Sequence, residues 1–128
     1  MTKATIINFL DSSAWLLYFF DESEEVARVI EGGGILISSA VSLFEIKRKL
    51  IKSNFEMEKI NEVLGHIKLR SMILSINSII CEKAAEISVK HNLAAVDSLI
   101  YCTSLLNNAE MLTADNDFRG LENIRIVA

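Results

Sequence analysis

No proline occurs anywhere in the 128 residues, and five glycines, three of them consecutive at Gly32-Gly33-Gly34, are all the chain has. A flexible Pro/Ser linker and low-complexity tracts are thereby excluded, and regular elements with short connections are expected. Cysteine is equally sparse. Cys81 and Cys102 stand apart, with no CxxC and no nearby His. That excludes a zinc ribbon or a disulfide framework and marks both as small core residues in a reducing cytoplasm. No apolar run reaches membrane length, and the early one is cut by Asn8, Asp11, Ser12 and Ser13, so neither a membrane partner nor a secretory leader is expected. Excess positive charge is missing too. Thirteen Lys and Arg against seventeen Asp and Glu leave a net charge of −4, which excludes the simple basic type of nucleic-acid binder. What remains is 51% hydrophobic and 23% charged, the material of one globular domain over residues 1–128.

Short isoleucine-rich runs alternate with helical patterns. Strands are expected at Thr5 to Leu10, Ile35 to Ser38, Met72 to Ile76, Glu110 to Thr113 and Ile124 to Val127. Most are nearly continuous in apolar residues, the mark of strands covered on both faces in a parallel sheet. Helices are expected at 13–20, 22–31, 40–53, 56–69, 78–91 and 96–107. In the last, Val96, Leu99, Ile100, Thr103 and Leu106 form one stripe directed at the sheet. Asn92, after "KH", suits a left-handed helix cap. The alternation implies an α/β/α three-layer domain with right-handed crossovers. The run "AWLLYFF" is too apolar for one buried face, which points to a homodimer or a protein partner.

The acids fall in a pattern. Asp11 ends the first strand, Glu45 lies in the second turn of the helix after the second, and Asp97 opens the helix at "AAVDSLIY". Asp115 and Asp117 follow the fourth strand in "MLTADNDF". Carboxyl ends of parallel strands and amino ends of the helices that follow them share one edge, where open α/β sheets bind ligands. Singly, each Asp has a simple explanation as a helix cap. Together they repel, and a hard divalent cation relieves that repulsion. Carboxylates without His or Cys suit Mg²⁺ or Mn²⁺ and suit zinc poorly. Ser12, Ser13, Thr113 and Asn116 are placed to hydrogen-bond the acids or to serve as turn and cap residues. Lys47, Arg48, Lys49 and Lys52 read as a solvated helix face, and His66 and His91 as structural.

These residues resemble a known family. "LDSSAW" after the first strand, Glu45 after "SSAVSLFE", "AVDSLIYCTSLL" and "LTADNDFRGLENIRIV" together are similar to the PIN domain over essentially the whole chain, at the length of VapC-type toxin ribonucleases. The family's four acidic positions map onto Asp11, Glu45, Asp97 and Asp115, with Asp117 matching a further acid and Thr113 the small hydroxyl residue before it. The resemblance implies a five-stranded parallel sheet in the order 3-2-1-4-5, with Asp11 and Asp115 facing each other at the switch point. It implies an Mg²⁺- or Mn²⁺-dependent endoribonuclease that hydrolyses RNA to 5′-phosphate and 3′-hydroxyl ends, and a cognate antitoxin as partner. Asp11, Asp97 and Asp115 are expected to bind the ion directly, Glu45 as a ligand or through a metal-bound water, and Asp117 either as a further ligand or as the cap of the turn at "NDFRG".

Two other phosphate-handling folds fail on position. A receiver domain needs an acid pair after strand one and an Asp after strand three, where this chain has one Asp and Asn77. A haloacid-dehalogenase phosphatase carries DxD after its first strand, whereas "DND" comes here after the fourth. The alternative from another class is a PIN-like module that docks a protein without catalysis.

Overall fold

A computed structural model of the chain describes residues 6–128. Strands β1 (Ile7–Leu10), β2 (Ile35–Ser39), β3 (Met72–Leu74), β4 (Glu110–Thr113) and β5 (Ile124–Ile126) form one parallel sheet in the order β3-β2-β1-β4-β5. Helices α1 (Ser12–Phe19) and α2 (Glu24–Glu31) link β1 to β2, and α3 (Ala40–Lys52) and α4 (Met57–Arg70) link β2 to β3. The return to β4 runs through α5 (Ser78–His91) and α6 (Ala95–Leu106). The expected architecture and strand order are both found. Thr5, where the first strand was expected to begin, lies outside the described residues.

Alternation along the strands explains the layers. Successive residues point to opposite faces, so Leu10, Leu36 and Leu112 pack with Trp15, Val26, Ile46 and Ile60 on one side. Phe9, Ile37 and Met111 pack with Ile100, Tyr101 and Phe118 on the other. The crossovers from β1 to β3 move outward in one direction, and the crossover to β4 reverses. Right-handedness then sends α5 and α6 to the opposite face. The reversal leaves β1 and β4 adjacent, with Leu10 opposite Leu112, so Asp11 and Thr113 emerge side by side.

Three expectations are corrected. The run "AWLLYFF" is absorbed into the core: Ala14, Trp15 and Leu16 are buried and Leu17, Tyr18 and Phe19 pack against them, leaving only Phe20 exposed. The buried Trp15 indole donates to Ser38 Oγ at 2.9 Å, Ser38 meets Ser71 at 3.0 Å, and Ser71 donates to the Ile67 carbonyl at 2.8 Å. This chain satisfies the polar groups that α1 carries under the helices. Of this run, Phe20 alone is left for the contact that the homodimer expectation needs. In α6, Val96 and Leu106 are exposed while Ser98, Tyr101, Cys102 and Ser104 are buried. This helix lies between the sheet and α5, with Cys102 packed on Ile80 and Ala84, so its buried surface exceeds one stripe. Cys81, on the outer side of α5, is exposed rather than in the core.

The scarcity of glycine has a visible remedy. Asn54, Asn92, Asn108 and Asn123 all adopt positive φ, as does Asp21. Asparagine tolerates this region because its short amide hydrogen-bonds locally. Asn92 ends α5 at φ 52°, as its place after "KH" suggests. Asn92→Ala should therefore lower unfolding stability by about 1 kcal/mol in denaturant titrations, and Asn92→Gly should not.

Candidate metal centre

Asp11 leaves β1 at the switch point and caps α1. Its Oδ1 accepts from the Ala14 N–H at 3.0 Å and from Ser13 Oγ at 2.6 Å, and its Oδ2 from Thr113 Oγ1 at 2.5 Å. The residue is 5% exposed. Burial pushes its carboxyl above the ordinary Asp value, the Ser13, Thr113 and Ala14 hydrogen bonds pull it down, and the charge of Asp115 pushes it up again; the net direction is up. Three hydrogen bonds occupy three of about four lone-pair sites, so one site on Oδ2 remains to be shared.

Glu45 stands on α3, where its Oε1 accepts from Ser12 Oγ at 3.1 Å. Burial raises its pKa, Ser12 opposes that, and Asp11, Asp97 and Asp115 add to the rise. Asp97 sits in the first turn of α6, whose cap residue Ala94 makes no side-chain cap bond. Among the described residues no hydrogen bond reaches the Asp97 carboxylate, so capping does not explain it. Its pKa is raised by burial first, then by Asp115, Asp117 and Asp11.

Asp115 caps the 3₁₀ turn Asn116–Phe118, accepting from the Asp117 N–H at 2.9 Å, while its own N–H donates to Thr113 Oγ1 at 3.0 Å. The cap role expected of Asp117 thus belongs to Asp115, because the turn begins one residue after it. One carboxylate oxygen each from Asp97, Asp115 and Asp117 lies within 4.8 Å of the others. Asp11 and Glu45 lie outside this tightest group, although their charges reach it. Of the four polar neighbours, Ser12, Ser13 and Thr113 hydrogen-bond acids. Asn116 instead accepts from Arg119 at 2.8 and 3.2 Å, because the turn directs its side chain back along its own loop. His66 packs against Tyr18 and Phe19, at ring distances of 5.6 and 5.3 Å, away from the acids.

An all-oxygen set with repelling charges fits a hard divalent cation such as Mg²⁺ or Mn²⁺. A family model described as the PIN domain matches residues 9–123, a span that contains all five acids. The chain belongs to the PIN domain family.

Several solved structures superpose on it closely despite low identity. A VapBC2 complex from Rickettsia felis, bound to a promoter DNA fragment, aligns with a TM-score of 0.80 at 16% identity, covering 96% of this chain and 100% of that one. A DNA-bound VapBC from Salmonella typhimurium aligns at 0.75 and 14% identity over 95% of this chain and 97% of that one. VapC20 of Mycobacterium tuberculosis, described as a sarcin-ricin loop cleaving toxin, aligns at 0.72 and 16% identity over 94% and 99%. Among curated proteins none matches the sequence. Among the described residues no helix is long and apolar enough to cross a membrane.

The raised pKa values carry a sign for stability. Asp11, Glu45 and Asp97 bind protons more tightly in the folded than in the unfolded protein, so folding is favoured as pH falls through the window above the ordinary values of 3.8 and 4.5. That advantage is lost as pH rises through the folded-state values. Metal-free protein should melt at higher temperature near pH 5 than at pH 8, and saturating Mn²⁺ should flatten the difference. Equal melting temperatures without metal across this range would show that the carboxylates are not held in mutual conflict.

Proposed function

We propose that this PIN domain is a divalent-metal-dependent endoribonuclease, the toxin of a toxin–antitoxin pair. The observation that carries the reading is the convergence of Asp97, Asp115 and Asp117 oxygens within 4.8 Å, coupled by charge to Asp11 and Glu45 at the sheet's switch point. Family membership and the likeness to VapBC complexes and to a sarcin-ricin loop cleaving VapC support the same reading.

Asp97, Asp115 and Asp117 would hold an Mg²⁺ or Mn²⁺ ion, with the free site on Asp11 Oδ2 and the unpaired Glu45 Oε2 completing the set. Such an ion supplies Lewis-acid neutralisation of phosphodiester charge and acidifies a water nucleophile. The chain's own residues do the positioning. Ser13 and Thr113 hold both Asp11 oxygens, and Ser12 fixes the rotamer of Glu45, so the carboxylates keep their places while substrate exchanges. A cytoplasmic homodimer bound by a protein antitoxin belongs to the same proposal. Phe20 and Phe55, exposed with ring centroids 6.0 Å apart beside Leu16, are apolar surface suited to such a contact.

Asp97→Asn isolates the catalytic role, since among the described residues no hydrogen bond depends on that carboxylate. Cleavage of RNA with Mn²⁺ should fall at least about 100-fold, the scale of removing one transition-state electrostatic contact. The metal-free melting temperature should stay level or rise, because a disfavoured charge is gone. A variant that cuts RNA at the parent rate would show that the acidic cluster is not the catalytic centre, and a parent protein that cuts no RNA would leave a docking module.

A further inference from the structure

Helix α3 leads away from the acids along a charged and partly apolar wall. One cavity of 680 Å³ is lined by Ser12, Ser13 and Glu45 at one end and by Arg48, Lys49 and Lys52 beyond them. Glu45, Arg48, Lys49 and Lys52 are spaced i, i+3, i+4 and i+7, which places them on one helix face. Seven residues at the helical rise carry this face about 10 Å from the carboxylates. Among the described residues none of these three cations forms an ion pair, whereas Lys59 and Arg125 do. In a chain of net charge −4 this is unpaired positive charge at the mouth of the acidic site. Phe44 lines the same cavity and is 67% exposed, and among the described residues its ring pairs with no other aromatic.

We infer that Phe44 is a platform on which one unpaired base of an RNA strand stacks beside the scissile position, while Arg48, Lys49 and Lys52 take the phosphates that run on from it. This rests on the ribonuclease reading above. The combination of a backbone-tracking basic groove with an exposed aromatic is how single strands are bound without regard to sequence. A paired base offers no free face to the ring, so the geometry selects unpaired over duplex RNA. A second copy of this chain suits the face poorly, because a two-fold contact would set its basic row against itself.

The test reads binding apart from cleavage. A fluorescent unpaired oligoribonucleotide and its duplex are titrated with protein in Ca²⁺, and anisotropy gives the affinities. Phe44→Ala and Phe44→Leu should each weaken binding of the single strand about 5- to 150-fold, the range of one lost base–aromatic stack, and Phe44→Trp should retain the parent affinity. The salt dependence should be unchanged in these variants, whereas Arg48→Ala should reduce its slope by about 0.7, one phosphate contact on a single strand. Parent-like binding by Phe44→Leu, or an equal loss for duplex, would overturn the platform. So would a Phe44→Ala variant that binds RNA normally but sediments as a smaller species or loses only its antitoxin. A protein that cuts no RNA yet shows the stacking loss would sink the ribonuclease reading and leave this one standing.

Discussion

The Asp11 carboxylate joins fold and site in one group. It accepts from the start of α1 and from Thr113 at the end of β4, and its backbone N–H donates to the Leu112 carbonyl at 3.3 Å. Ser13 reinforces the seam by accepting from the Ala114 N–H at 2.9 Å. These bonds tie the two central strands together where their crossovers diverge. They also hold a buried charge beside four more acids. Hydrogen bonds offset part of the desolvation of Asp11, but its pKa remains raised, so the clamp leaves the edge electrostatically unsatisfied.

That residual conflict organises the rest of the edge. Helix α6 presents the Asp97 carboxylate without a hydrogen bond among the described residues, the 3₁₀ turn presents Asp115 and Asp117, and α3 presents Glu45 under the control of Ser12. A protein evolved only for stability would replace such a set, since relieving destabilised sites is an easy gain. Its retention on rigid elements at the switch point is what a cation-dependent site requires. The basic row of α3 complements it: phosphate meets cations along the groove and a cation at the acids.

Much of this was legible in the chain because aspartates are few and fall at element junctions. The continuous apolar strands announced a covered parallel sheet, and Asn92 announced its helix end. Strand order was not legible from residues, since nothing local says which strands pair; it came through the family resemblance. Periodicity misjudged α6 because a helix buried on two sides hides small hydroxyl residues, Ser98 and Ser104 among them, as if they were solvent-facing. Nothing around Phe44 in the chain marks it as exposed, yet it lines the open cavity beside Glu45. Lys47 to Lys52 were read as mere solvated surface. The i, i+3, i+4, i+7 spacing from Glu45 was the available signal that three of these cations share the face of the acid.

The central claim is that carboxylates in conflict await a divalent cation, and calorimetric titration with Mn²⁺ addresses it directly. Buffers of different ionisation enthalpy, at pH 5 and pH 8, separate binding heat from proton transfer. Saturable binding with proton release at pH 5 and less at pH 8 is expected, because a cation must displace protons from acids whose pKa values are raised. Asp97→Asn should weaken the binding and diminish the release. No saturable Mn²⁺ binding, or binding unaffected by Asp97→Asn with no protons released at either pH, would contradict it.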